Sequence, residues 1–231
     1  MRTNVVVIGA GAVGCAVARE LSKYKIDVVV VDKNEDIGGD ASKSNSAIIH
    51  TGYDASPGTL ESQLVVAANP MYDELARDLD VPFKRIGAIL PAITQEQYEK
   101  LPEIKAKAFK NRVYDVEYKT GEELLAMEPN LNPEVKGGLY IPRESIIDPF
   151  ILVQALAENA NENGVSFLLN TKVTGIQTEN GKSEGRGDNR RNHRDRLCDQ
   201  CGGSLLRRDR GYGGQGRLQG GGQTRTVLYF R

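Results

Sequence analysis

Cysteine is scarce in this chain. The three in 231 residues, Cys15, Cys198 and Cys201, are too few for a disulfide framework at this length, which points to a reducing compartment and predicts a cytoplasmic protein. Long apolar runs are missing too. None approaches the ~18 residues of a membrane span, so no integral membrane segment is expected. Met1-Arg2 followed by the apolar stretch Val5 to Ala18 imitates a secretory leader, and Ala12-Val13-Gly14-Cys15 imitates a lipoprotein box, but those residues have a better use, described below. The net charge is only −1, so it gives no case for a nucleic-acid or acidic-membrane partner. From Ser183 to Arg231 there is no Lys, Ala or Ile, against eleven Arg and eleven Gly, whereas the preceding residues carry thirteen Lys and six Arg. Two compositions share one chain.

What is present begins at once. Asn4-Val-Val-Val-Ile8 is a β-branched run suited to a parallel strand covered on both faces. It ends at Gly9-Ala-Gly11-Ala-Val-Gly14, a helical pattern follows from Ala12 to Tyr24, and a second run, Asp27-Val-Val-Val-Val31, leads to Asp32. Gly9 permits a tight turn, Gly11 lets backbone amides approach a pyrophosphate, and Gly14 with Ala18 lets the helix lie close to the strands. The helix start, at Ala12 and Val13, offers unpaired N–H groups and a partial positive charge to the phosphates. Asp32 ends the second strand, where an acid can accept both ribose hydroxyls of an adenosine. Lys33 beside it softens the case against a 2′-phosphate.

After the second strand comes a polar loop, Gly38-Gly-Asp-Ala-Ser42-Lys43-Ser-Asn-Ser46, leading into Ala47-Ile-Ile-His50-Thr51-Gly-Tyr53. With Pro57-Gly-Thr-Leu60, Val81-Pro-Phe-Lys-Arg-Ile-Gly87, Gly137-Gly-Leu-Tyr-Ile-Pro142 and Ile147-Asp-Pro149, this resembles the FAD-dependent oxidoreductases of the D-amino-acid oxidase superfamily. The likeness is to the branch of glycerol-3-phosphate dehydrogenase-like and L-2-hydroxyglutarate oxidase-like enzymes, and it runs from residue 1 to about 182. It implies FAD as cofactor and hydride transfer to flavin from a small hydroxy substrate, such as glycerol 3-phosphate or a 2-hydroxy acid. An amine or amino-acid oxidase is the alternative within the class. By position in that family Ser42, Lys43, Ser46 and Thr51 become FAD contacts, Val173 meets the adenine through its backbone, and His50 is the catalytic candidate, beside the reactive ring where an imidazole can hydrogen-bond flavin or substrate, against the plainer role of a histidine satisfied by backbone. Pro70 departs from the pattern, standing where relatives commonly carry a basic residue, and is expected to kink or end its helix at Asn69.

The fold class expected is α/β: a Rossmann-like FAD-binding βαβ domain with the start of an inserted α+β substrate domain. Residues 1–80 are read as the first part of the FAD domain and 81–147 as the partial substrate domain. Within the latter fall a strand from Ile86 to Ile93, a helix opened by Thr94-x-x-Gln97, a strand from Val113 to Tyr118 and a helix opened by Thr120-x-x-Glu123. Residues 148–182 are read as the return to the FAD domain. Asp148 caps a helix that begins at Pro149 and is ended by Gly164, with Phe150, Leu152, Val153 and Leu156 as core, and the runs Val165 to Leu169 and Lys172 to Gln177 are expected to rejoin the parallel sheet.

Residues 183–231 are expected to be irregular or disordered. Cys198-x-x-Cys201 with His193 falls short of the four ligands of a structural zinc, so no metal is expected, and the Arg/Gly content lacks the repeats of an RNA-binding tail. A non-catalytic nucleotide- or RNA-binding module is the alternative from outside the enzyme class. Codons can be chosen for Gly185 through Arg210 so that, read one base later, they give two strands about an Asp-Gly turn and an apolar run ending in Ala-Ala-Gly. A shifted reading frame near Lys182 to Gly185 accounts for the change of composition, and it predicts a truncated, catalytically inactive chain.

Overall fold

The computed structural model describes residues 3–177, 196–197 and 227–230, with side chains through residue 173. The elements run β1 (Val5–Ile8), α1 (Ala12–Leu21), β2 (Val28–Val31), β3 (Ile48–Ile49), α2 (Leu60–Ala68), α3 (Tyr72–Asp78), β4 (Phe83–Lys84), β5 (Ala88–Ala92), α4 (Gln95–Lys110), β6 (Glu117–Thr120), α5 (Gly121–Met127), β7 (Gly137–Ile141), β8 (Ser145–Ile147), α6 (Pro149–Glu162), β9 (Ser166–Leu168), β10 (Val173–Gln177), β11 (Arg196–Leu197) and β12 (Val227–Phe230). The chain divides into two compact units, one of residues 1–45 and 149–231, the other of residues 46–148. The second crossing falls one residue from the expected 147/148 boundary. The first falls at 45/46, not after residue 80, because β3 ladders with β8 and the loop after it is tied to Arg143 and Glu144.

The first unit is a parallel sheet ordered β11-β1-β2-β9. All four valines of β2 are buried, as a strand covered on both faces requires. Val6, Val29 and Val31 form a core cluster against which Ile8, Leu168 and Val173 pack. Each such buried side chain contributes about 1.5–3 kcal/mol relative to exposure. α1 buries Gly14, Cys15 and Ala18, a small-residue face that brings the helix close to the strands. α6 buries Leu152, Val153, Leu156, Ala157 and Ala160, and Arg19 Nε of α1 donates to Asn159 Oδ1 of α6 at 3.0 Å. Phe150, expected in the core, is 55% exposed. It is the second residue of its helix, and the Lys43 ammonium stands 6.0 Å from its ring centroid.

β9 joins the parallel sheet beside β2, as expected. β10 does not; it pairs antiparallel with β12 in a separate two-stranded sheet. No periodicity in residues 172–177 could report a partner fifty residues away. Apart from β11 and β12, the expectation of an irregular tail lies outside the described residues, as do His193, Cys198 and Cys201.

The second unit holds two antiparallel three-stranded sheets, β3-β8-β4 and β5-β7-β6. Both expected capping boxes are formed: Thr94 with Gln97 opens α4, and Thr120 with Glu123 opens α5. Val113 and Val116 are buried against Leu139 and Ile141, but the ladder begins only at Glu117. Their spacing of three already departs from strand alternation. Pro70 acts as expected of it: α2 stops at Ala68, Asn69–Met71 tightens into a 3-10 turn with the proline near its start, and α3 follows.

Candidate functional site

In the first unit the strand, glycine turn and helix form as one piece. Gly9 has φ 102°, a backbone that a side chain disfavours, and its N–H donates to Val31 O at 2.8 Å. Gly11 is the N-cap of α1, with extended dihedrals and no side chain to occupy the space over the helix start. A β-carbon there would stand 2.8 Å from Ser42 Oγ. The Ala12 N–H donates to that hydroxyl oxygen at 2.9 Å, so Ser42 closes the polar loop onto the first turn, with its hydroxyl proton left to donate onward. Val13, next on the helix, is exposed.

Asp32 stands where β2 ends. One carboxylate oxygen accepts from Ala10 N–H at 2.7 Å and the other from Asn34 N–H at 2.8 Å. Each oxygen keeps a second lone pair, so the acid can brace the turn and also accept from a diol. Beside it lies a polar recess of about 470 Å³ lined by Lys33, Asn34, Glu35, Asp36, Gly39 and Asn170. Lys33 pairs with Asp40 at 3.3 Å. Lys43 pairs with Asp36 at 2.8 Å, and that hydrogen bond holds the Asp36 carboxyl below its ordinary range. Val173 opens β10 and packs on the Val6, Val29 and Val31 cluster.

These residues fit an FAD dinucleotide. Gly11 lets the Ser42 hydroxyl come as close to the helix start as a β-carbon would forbid, the helix start presents N–H groups of the kind that suit a diphosphate, and Asp32 presents a carboxylate of the kind that suits a ribose. FAD, when bound, supplies the ring that accepts a hydride.

The remaining expected residues sit in the second unit. Ser46 is exposed at its first position. Thr51 is buried, and both its N–H, at 2.6 Å, and its hydroxyl, at 2.8 Å, donate to one oxygen of Glu144. The other Glu144 oxygen lies 3.1 Å from His50 Nδ1. His50 is half exposed while Glu144 is only 3% exposed. Asn69, also buried, donates through Nδ2 to the carbonyls of His50 at 3.1 Å and Arg143 at 3.2 Å, and accepts from Arg85 Nη1 at 3.1 Å. Arg85 is itself held by Asp73 and reaches Arg143 O and Ser145 Oγ.

Nothing in the sequence marks Glu144, Asn69 or Arg85 as a residue that positions His50. The only available signal was a charged pair, Arg143-Glu144, in a tight turn between two strands. The backbone that carries His50 is thus fixed from two sides, and its imidazole presents one nitrogen to a buried carboxylate.

Comparison with known proteins agrees with this geometry. The family model described as FAD dependent oxidoreductase matches residues 4–203, beyond residue 182, where the likeness was expected to stop. A glycerol 3-phosphate dehydrogenase of Caloramator mitchellensis is 44% identical over 174 residues, covering 75% of this chain and 36% of that protein. A mitochondrial L-2-hydroxyglutarate dehydrogenase of Arabidopsis thaliana is 32% identical over 159 residues, covering 69% of this chain and 32% of the relative. Among solved structures, a dithionite-reduced L-α-glycerophosphate oxidase from Mycoplasma pneumoniae with FAD bound superposes with a TM-score of 0.73 at 31% identity, covering 78% of this chain and 48% of that one. The chain therefore spans less than half the length of these relatives. No helix among the described residues is long and apolar enough to cross a membrane. With a strand-to-helix glycine turn, a braced acid at the next strand's end and a family match over most of its length, the chain belongs to the FAD-dependent oxidoreductase family.

Proposed function

We propose that this protein holds FAD at the site of an oxidoreductase whose reaction is the oxidation of a small hydroxy compound, glycerol 3-phosphate or a 2-hydroxy acid, by hydride transfer from the carbinol carbon to the flavin, and that the chain with residues 183–231 as they stand does not turn over. The observation that carries the reading is the first-unit cradle, in which Ser42 caps the Ala12 N–H and Asp32 braces the turn. The Val13 amide, and Ala12 through the Ser42 hydroxyl that its N–H holds, meet the diphosphate over Gly9, Gly11 and Gly14, and Asp32 with Lys33 takes the adenosine ribose. Ser42, Lys43, Ser46 and Thr51 belong to the stretch that follows the cofactor, and the Val173 backbone meets the adenine. His50 removes the hydroxyl proton as the hydride leaves. Relatives named for glycerol 3-phosphate and 2-hydroxyglutarate favour a hydroxyl donor.

The partner is a small molecule rather than a nucleic acid, in keeping with a net charge of −1. The setting is the cytoplasm, in keeping with three cysteines, too few for a disulfide framework at this length. Titrating the purified protein with FAD tests the cradle, and the flavin absorbance band near 450 nm should be retained through gel filtration. Loss of all flavin on the column would overturn the reading.

Anaerobic addition of glycerol 3-phosphate, with the Caloramator relative as control, tests the reaction. The composition of residues 183–231 forecasts bleaching in the relative and none here. Sequencing the coding DNA around codon 183 decides whether a shifted frame is the reason.

A further inference from the structure

The register of the second unit brings two side chains together that nothing in the local sequence connects. β3 and β8 pair antiparallel with Ile48 opposite Ile146 and Ile49 opposite Ser145. Continuing that register by one residue sets His50 opposite Glu144, on the same face of the ribbon. Glu144 is buried to 3% exposure, with two hydrogen-bond donors on one oxygen and the His50 imidazole beside the other. Thr51 N–H and Thr51 Oγ1–H go to Oε1, at 2.6 and 2.8 Å, and His50 Nδ1 lies against Oε2 at 3.1 Å. A buried carboxylate is costly unless it is hydrogen-bonded and paired, which is what these partners supply.

The chemistry then decides the proton on His50. An ionised carboxylate has nothing to donate, so Nδ1 must carry the hydrogen. In a neutral imidazole only one nitrogen is protonated, which leaves Nε2 with a free lone pair. His50 is half exposed, and Nε2 is the ring nitrogen that Glu144 does not occupy. The backbone beneath is fixed independently by Asn69, whose Nδ2 holds the His50 carbonyl at 3.1 Å. The other ionisable groups nearby are Arg143, which turns away to Asp115, and Tyr53, whose phenol is pushed up by burial and then by the charges of Asp54 and Glu144.

We propose that Glu144 is the positioning residue of His50: it fixes the Nδ1–H tautomer and the ring's orientation, so that Nε2 is the nitrogen that accepts a proton from a substrate hydroxyl. The last clause rests on the function proposed above; the tautomer does not.

The pair permits a sharp test. In Glu144→Gln the two Thr51 donors keep the amide oxygen at the Oε1 position, which turns the amide NH₂ toward His50. Nδ1 must then accept, and the proton moves to Nε2. The substitution is isosteric, so far-UV circular dichroism should match the parent.

The full chain has two histidines, so ¹⁵N-histidine labelling with His193→Gln as the assignment control resolves His50. Spectra are taken at a pH where the imidazole is neutral. The parent should show a protonated, pyrrole-type Nδ1 and a far-downfield, pyridine-type Nε2, and Glu144→Gln should exchange the two. An Nε2–H tautomer in the parent overturns the proposal even if the variant fails to fold. An unchanged pattern in a folded variant overturns it as well. FAD titration of the same samples separates the two claims, because a chain that switches tautomer but holds no flavin sinks the proposed function and leaves the pair standing.

Discussion

The carbonyl oxygen of Gly9 lies 1.9 Å from the point that a β-carbon on Gly14 would occupy. That distance is far inside van der Waals contact, and the clashing atom is backbone, which cannot swing aside as a side chain would. Gly14→Ala should therefore push α1 off the strands. A destabilisation of about 1–3 kcal/mol, the usual cost of overpacking, is expected in urea unfolding. FAD should be lost as well, read as disappearance of the band near 450 nm, because the Ala12 and Val13 amides move with the helix.

Asn69 should be among the least replaceable residues of the second unit. Its side-chain amide serves carbonyls from two separate loops and accepts from Arg85. Asn69→Ala leaves buried carbonyls unpaired and should cost on the order of 2–4 kcal/mol in chemical denaturation. Asn69→Asp should be worse than alanine, because a carboxylate would face the same carbonyls with no hydrogen to offer.

Acid sensitivity of the second unit should depend in part on Asp115. Arg143 donates Nε and Nη2 to its two oxygens, each at 2.7 Å, and this hydrogen bonding holds the Asp115 carboxyl below its ordinary range. A carboxyl depressed in the folded state contributes stability that is present above its unfolded value of about 3.9 and lost as pH falls below it toward the folded value. Asp115→Asn should flatten the stability profile below about pH 4 and lower the plateau above it slightly. The effect should be small, because the side chains are 34% and 39% exposed and water screens them.

Cys15 should be inert while the protein is folded. It is fully buried on α1, and burial, then the charge of Asp32, pushes its thiol up to about 12. At pH 8 almost no thiolate is present to react. Iodoacetamide followed by peptide mapping should leave Cys15 unmodified in native protein and label it fully in urea. Native labelling of that peptide would contradict the packing described for α1.

The parts of this fold legible in the sequence are those whose causes are local. The turn from Gly9 to Gly14, the capping boxes at Thr94 and Thr120 and the break at Pro70 each depend on residues within a few positions of one another, and the acid at Asp32, which reaches back 22 residues to Ala10, was legible only through its place at the end of the strand after that turn. Family likeness brought Ser42 forward only as an FAD contact, and its bond to the Ala12 N–H, thirty residues away, was not legible. What escaped depends on distant partners. Glu144 meets Thr51 across 93 residues, Asn69 meets Arg143 across 74, and Arg85 meets Ser145 across 60. No period or cap records such a meeting. The run from Val113 to Tyr118 shows the converse error: its valines are buried as their apolarity implies, yet burial alone does not make a ladder.

The order β3-β8-β4 has a consequence for how the chain is made. The middle strand is the last of the three to be synthesised, so until Ser145–Ile147 leave the ribosome, β3 and β4 have no shared neighbour. During that interval their hydrogen-bonding edges are open to unintended pairing. The nascent chain should therefore call on chaperones most heavily just before residue 145 emerges, and a pause in translation once residue 148 has cleared the ribosome would give this unit time to close before α6 emerges.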